Sequence, residues 1–264
     1  MANKVLEKTL SNIDPNDLKA GYAAPSSFDS LGNPISPPPS VFTNTDSMSV
    51  TGAARAALVL FAILVATGTW AWISIPESAW GMALFVSIFA ALGVGLLTTF
   101  KPNIARVSAP IYAAIEGVAI GLISRVYENA YNGIVIQAVL ATGAIVFVMY
   151  SLYSMRIIKV TQRFTRIVIG ATMAIFVFYM ANLLFSIFNV NLPLINDTGI
   201  AGIIFSAVVI CIAAANLAID FSFIESGVQQ GLPKYMNWAA AYGLVVTIVW
   251  IYLEVLRLLA KSRN

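Results

Sequence analysis

Seven apolar runs, each near the length that crosses a bilayer, follow one another from Arg55 onward. A spanning helix needs about 20 residues, and the runs fall at about 54–75, 80–99, 108–126, 133–153, 167–188, 199–221 and 236–258. Inside a bilayer the backbone finds no water, so only helices and closed barrels can span it. Barrel strands alternate polar and apolar residues, whereas these runs are apolar on every side. The expected fold is an all-α membrane protein, a bundle of seven transmembrane helices over residues 51–264. The third run, interrupted by Pro110 and Glu116, is the weakest of the seven.

Charge supports this reading. Only 10% of the residues are charged and 59% are hydrophobic, against roughly 25% charged in a soluble domain. A globule of this size has too little charge to wet its surface, so the partner of that surface is the lipid bilayer. Residues 1–50 differ: Asn, Asp, Ser, Pro and Lys dominate, and Ser36-Pro-Pro-Pro-Ser40 reads as a short polyproline spacer. They are expected to be a disordered cytoplasmic tail. Met1-Ala-Asn-Lys-Val-Leu-Glu-Lys-Thr-Leu10 lacks the apolar core of a signal peptide.

Orientation follows the cationic residues of short loops. Lys101, Arg106, Arg156, Lys159, Arg163 and Arg166, joined by Arg55 and Lys234, fall on one side. The opposite connections carry Glu77, Asp197 and Arg125. The N-terminus is therefore expected in the cytoplasm. Seven crossings then put Arg257, Lys261 and Arg263 outside, against the rule. Either the stronger internal loops overrule that short tail, or one run is re-entrant.

The chain has no histidine and one cysteine, Cys211. That excludes disulfides within the chain, zinc sites built on His or paired Cys, and a Ser-His nucleophile pair. An intramembrane aspartyl protease needs two carboxylates sharing a proton, and Asp220 is the only aspartate inside a run. No catalysis, no cofactor and no nucleic-acid partner are expected.

Polar groups within the runs need partners, because a charge at membrane depth is costly and tends to mark an ion or proton path. Asp220 is the foremost of them, with Asn216 one turn earlier on the same face, positioned to hydrogen-bond it or to share a polar cavity. The alternative is an interfacial acid paired with a loop Lys or Arg. Glu116 lies beside Gly117 with no basic residue one turn away, either as a proton-linked switch or as a protonated packing group. Glu254 and Arg257, three apart, read as an ion pair; Arg125 and Glu128 have the same spacing. Gln137 and Asn182 also need partners. Small residues such as Gly93, Gly95, Gly117, Gly121 and Gly143 read as helix-packing positions.

Several stretches resemble a bacterial branch of the Bax inhibitor-one family (transmembrane Bax inhibitor motif). They are Ala109-Pro-Ile-Tyr-Ala-Ala-Ile-Glu-Gly-Val-Ala-Ile-Gly-Leu-Ile-Ser124, Gly133-Ile-Val-Ile-Gln-Ala-Val139, Ile157-Ile-Lys-Val-Thr-Gln-Arg-Phe164, Ala218-Ile-Asp-Phe-Ser-Phe-Ile-Glu225 and Pro233-Lys-Tyr-Met-Asn-Trp238. The ending Gly243-Leu-Val-Val-Thr-Ile-Val-Trp-Ile-Tyr-Leu-Glu-Val-Leu-Arg-Leu-Leu259 is the most specific.

The resemblance implies a seven-helix bundle with the last helix central, in a bacterial plasma membrane. It also implies a pH-sensitive leak of calcium ions. In that family two aspartates, late in the sixth span and in the seventh, form a pair whose protonation is proposed to gate the pore. Asp220 matches the first; Thr247 stands where the second would be. Glu116, Glu225 and Glu254 are left as substitutes. The expected function is therefore a cation leak channel or exchanger with Asp220, Glu116 and Glu254 as gating acids and Asn216 and Arg257 as support. The alternative is a non-transporting regulatory protein whose acids tie helices together and whose basic loop, Arg156 to Arg166, meets anionic lipid.

Overall fold

The computed structural model describes residues 47–187 and 199–263. The polyproline stretch, the tail through residue 46 and most of the connection after the fifth span lie outside the described residues. Seven long helices follow in order: α1 Val50–Ser74, α2 Trp80–Phe100, α3 Ala105–Ala130, α4 Ile134–Ser154, α5 Gln162–Ile187, α6 Ile200–Gln229 and α7 Met236–Ser262. All are long and apolar enough to cross a membrane, and there is no sheet among the described residues. Large apolar side chains such as Phe85, Phe147, Ile167 and Ile204 stand exposed on the outside, as a lipid-facing surface requires.

The last helix is central. α7 packs against α1, α3, α4 and α6, and it buries residues around its circumference, from Ala241 and Val245 to Ile251, Glu254 and Leu256. α3, the weakest run by sequence, is also interior, packed on α1, α2 and α7. Its glycines explain how. Within a bilayer, helix association depends on close van der Waals packing more than on the hydrophobic effect. Gly121 brings α3 so near α1 that a Cβ there would fall on the backbone of Gly68, and one at Gly117 would overlap Thr67 and Leu64. Gly93 and Gly143 differ from the expectation for small residues: a Cβ at either meets nothing.

Helix ends are tied by specific groups. The Ser49 hydroxyl caps α1 by accepting from the Gly52 N–H at 3.0 Å. The amide oxygen of Asn237 accepts from the Ser49 N–H at 3.1 Å, joining the starts of α1 and α7. Met48, just before the cap, is 2% exposed and packs with Ala53 and Ala240. Arg125 and Glu128 do not pair with each other. Arg125 lies over the Trp80 ring, 4.9 Å from its centroid, and donates to the Trp72 carbonyl at 2.5 Å, at the end of α1. Glu128 instead caps α4, accepting from the N–H groups of Gly133 at 2.6 Å and Val135 at 3.0 Å. Unsatisfied backbone groups at helix ends drew both side chains away from each other.

α6 runs two turns beyond the apolar stretch, to Gln229. Its last part is polar on one side, and Glu225 accepts there from Tyr153 and, at 2.5 Å, from Arg156. Arg156 is in the left-handed region at φ 59°, where α4 closes with its N–H on the Tyr153 carbonyl at 2.9 Å.

The starts of α1, α3, α5 and α7 share one end of the bundle with Lys101, Arg106, Lys159 and Arg163; we call it the basic end. Arg257, Lys261 and Arg263 lie toward the other, and protein groups take all three. Arg257 bonds Glu254, Lys261 donates to the Gly202 carbonyl at 3.0 Å, and Arg263 donates to the Asn132 carbonyl at 3.0 Å. With seven full-length helices and these cations satisfied internally, a re-entrant run is not needed to accommodate them.

Candidate functional site

Along α7, Thr247, Glu254 and Lys261 recur every seven residues, two helical turns, and so share one face. On α6, Ser206, Ala213 and Asp220 recur in the same way. The two faces meet as an antiparallel seam. At one level the Thr247 hydroxyl hydrogen-bonds the Asp220 carboxyl. Two repeats away, the Lys261 ammonium donates to the Ser206 hydroxyl at 3.1 Å. Midway between, the register sets Ala213, fully buried and small, level with Glu254.

Asp220 lies near the middle of the bundle, about 14 Å along α6 from its basic end at 1.5 Å per residue. Its Oδ1 looks onto Gly243, 3.6 Å from where a Cβ would stand. Its Oδ2 is buried with no hydrogen-bond partner. Among the described residues no second acid and no basic side chain pairs with Asp220. The interfacial-acid alternative, an ion pair with a loop cation, is thereby overturned. Asn216 also departs from its expected role. Its amide donates to the Thr172 hydroxyl at 2.8 Å and to the Ile212 carbonyl at 2.9 Å, so it braces α6 on α5 and leaves the carboxyl to Thr247.

Glu254 sits about 10 Å farther along the seam, one heptad beyond Thr247. It is 1% exposed. Its Oε2 accepts from Arg257 at 2.7 Å and from the Tyr179 hydroxyl at 2.8 Å, and Arg257 also donates to that hydroxyl at 2.7 Å. The ion pair anticipated from the spacing is present, completed by a tyrosine of α5 that the sequence did not point to. Its Oε1, like Asp220 Oδ2, is buried without a partner. The seam thus carries two carboxylates, each with one bound and one open oxygen.

Glu116 belongs to a different place. Its carboxyl is hydrogen-bonded by Tyr112 one turn earlier on α3. The Tyr112 ring packs edge-on against Tyr242 of α7 at 4.9 Å, and the Tyr242 hydroxyl donates to the Gly95 carbonyl of α2 at 3.0 Å. Tyr242 and Thr247 leave α7 on faces well apart, so Glu116 and Asp220 flank the central helix on separate sides. Glu225 is at the basic end, held by Tyr153 and Arg156. Neither replaces the missing acid beside Asp220. Among the described residues, no group of three or more His, Cys, Asp or Glu is placed to hold a metal ion. Gln137 accepts from Arg263 at 2.9 Å, and the Asn182 amide oxygen is buried without a partner.

Sequence reasoning missed Lys261, Ser206 and Tyr179. The seven-residue recurrence on α6 and α7 was the signal that could have found the first two. The family model described as Bax inhibitor 1 like matches residues 5–264. No curated protein and no solved structure matches the chain.

Proposed function

The chain is a multi-pass membrane protein of the Bax inhibitor 1 like family, and on that premise we propose that it lets cations, calcium among them, leak across the membrane along the α6–α7 seam under control of Asp220. The observation that carries this reading is the Asp220 carboxyl itself: half-buried against the central helix, bonded by Thr247, with Oδ2 buried and unpartnered and no counter-charge. A hard cation prefers oxygen ligands, and a carboxylate without a basic partner is free to attract one. Protonation removes that charge. Flux should therefore fall as the medium becomes acid, with Thr247 orienting the group in place of a second aspartate. Glu254, locked to Arg257 and Tyr179, serves the same seam, and Glu116 is a separate acid on the far side of α7.

The N-terminus is cytoplasmic in this reading, which sets the basic end on the side of anionic lipid. Lys159, Arg163 and Arg166 are exposed there and attract acidic headgroups. The closed Glu254–Arg257–Tyr179 network favours a second reading, a non-transporting regulatory protein whose acids fasten helices. Calcium entry into dye-loaded proteoliposomes separates the two. Entry faster than into protein-free vesicles and diminished by acid supports the leak. Entry equal to the protein-free rate at every pH overturns it in favour of the second reading.

A further inference from the structure

A cavity of about 1000 Å³ opens sideways between α1 and α4. These helices both flank α3 and α7 but do not pack closely on each other. Val135 and Tyr150 of α4 both line the cavity, so it runs about 22 Å along the bundle at helical rise. Its walls are apolar, and none of its lining side chains is charged. It lies within the spans, where only the hydrocarbon phase can deliver a ligand.

Two features make it more than a gap between helices. Gly143 lines it, and a Cβ there would meet no atom within 4 Å. This glycine has no packing partner to serve; it widens the space. Beside it, Thr142 is 5% exposed and its hydroxyl has no hydrogen-bond partner. Other helical threonines here satisfy themselves on the preceding turn: Thr67 bonds the Ile63 carbonyl at 2.9 Å, Thr98 that of Val94 at 2.8 Å and Thr99 that of Gly95 at 2.9 Å. Of the other wall hydroxyls, Ser124 and Tyr252 bond each other at 2.7 Å, while Thr69 and Tyr150 are exposed. Thr142 alone among these is buried without a partner, and such a polar group is costly.

We propose that the cleft between α1 and α4 binds an uncharged chain-bearing lipid, its hydrocarbon chain along the groove and a carbonyl oxygen accepting from Thr142. Depth selects the headgroup. Thr142 lies about 12 Å along α4 from the end away from the basic side, well inside a hydrocarbon core about 30 Å thick. A zwitterionic or charged head cannot follow its chain there without leaving water. An ester or ketone head can. The cleft lies on the side of α7 away from Thr247, with Ile248, Val249 and Tyr252 in its wall.

The test uses the full chain in phospholipid vesicles with two photoreactive probes: diacylglycerol and phosphatidylcholine, each with a diazirine on one acyl chain. Cross-links are mapped by mass spectrometry. Diacylglycerol should label the α1 and α4 walls several-fold more than the outward face of α2 around Phe85. Gly143→Leu, which fills open space, should cut wall labelling several-fold while α2 labelling stays. Thr142→Val should cut it too. Val139→Phe, at an exposed wall position, gives the same reading should the leucine variant not fold. Equal labelling of wall and α2 face, wall labelling unmoved by both filling variants or by Thr142→Val, or phosphatidylcholine labelling the wall as strongly as diacylglycerol would each overturn the proposal.

Discussion

The Thr247 hydroxyl bonds the Asp220 carboxyl across the α6–α7 seam, at the position where the family resemblance puts a second aspartate. A pair of acids can share one proton; an acid and an alcohol cannot hold two negative charges. Removing the alcohol should leave both Asp220 oxygens without partners. A buried group stripped of its hydrogen bond costs about 1–3 kcal/mol, so Thr247→Val should lower the unfolding midpoint in detergent and Thr247→Ser should keep it. Equal midpoints for the valine variant and the parent would contradict the contact.

The Glu254–Arg257 pair is asymmetric, Glu254 1% exposed and Arg257 31%. Arg257→Leu strands a buried carboxylate, and breaking a buried pair in this way costs about 3–5 kcal/mol. Glu254→Gln leaves a cation that can reach the interface, so the cost should be smaller. Thermal unfolding of the two variants should rank Arg257→Leu as the less stable. The reverse order would show that the arginine, not the acid, is the group trapped in the seam.

Glycines divide into two sets by what surrounds them. Gly121→Ala places a methyl on the Gly68 backbone and should separate α1 from α3, with an overpacking cost of about 1–3 kcal/mol or more. Gly93→Ala meets open space and should be close to neutral. Folded yield and unfolding midpoint measure both; similar losses would mean that the close α1–α3 approach is not what holds the bundle.

The proposed cytoplasmic placement of the basic end is open to direct labelling. In a Cys211→Ser background, Ser262→Cys should react with a membrane-impermeant thiol reagent on intact bacterial cells, and Lys159→Cys only after permeabilisation. The opposite pattern would invert the topology.

The spans were legible because an uninterrupted apolar run of about 20 residues matches the thickness of a bilayer and little else. The apolar stretch of the sixth run ends at about residue 221, yet α6 continues to Gln229, where Glu225 is held by Tyr153 and Arg156, distant in sequence. Spacing correctly paired Glu254 with Arg257, but the same spacing does not bring Arg125 and Glu128 together. The difference is that helix-end carbonyls and N–H groups compete for side chains near the ends, and that competition depends on which helices are neighbours. Asn216 failed for the same reason: Thr172 lies on another helix. Asp220 was legible as a costly acid in a span, and its position opposite Thr247 agrees with the resemblance. That Glu116 lies on another side of α7 was not legible, since it depends on how α3 rotates against the central helix.

Calcium flux through Asp220→Asn, measured in proteoliposomes from acid to neutral pH beside the parent protein, bears most directly on the proposed gate. Asparagine keeps the shape and the Thr247 contact but never carries the charge. The flux should stay low, near the parent's acid value, and lose its dependence on pH. An Asp220→Asn protein that conducts like the parent and keeps its pH profile would contradict the assignment of Asp220 as the gate.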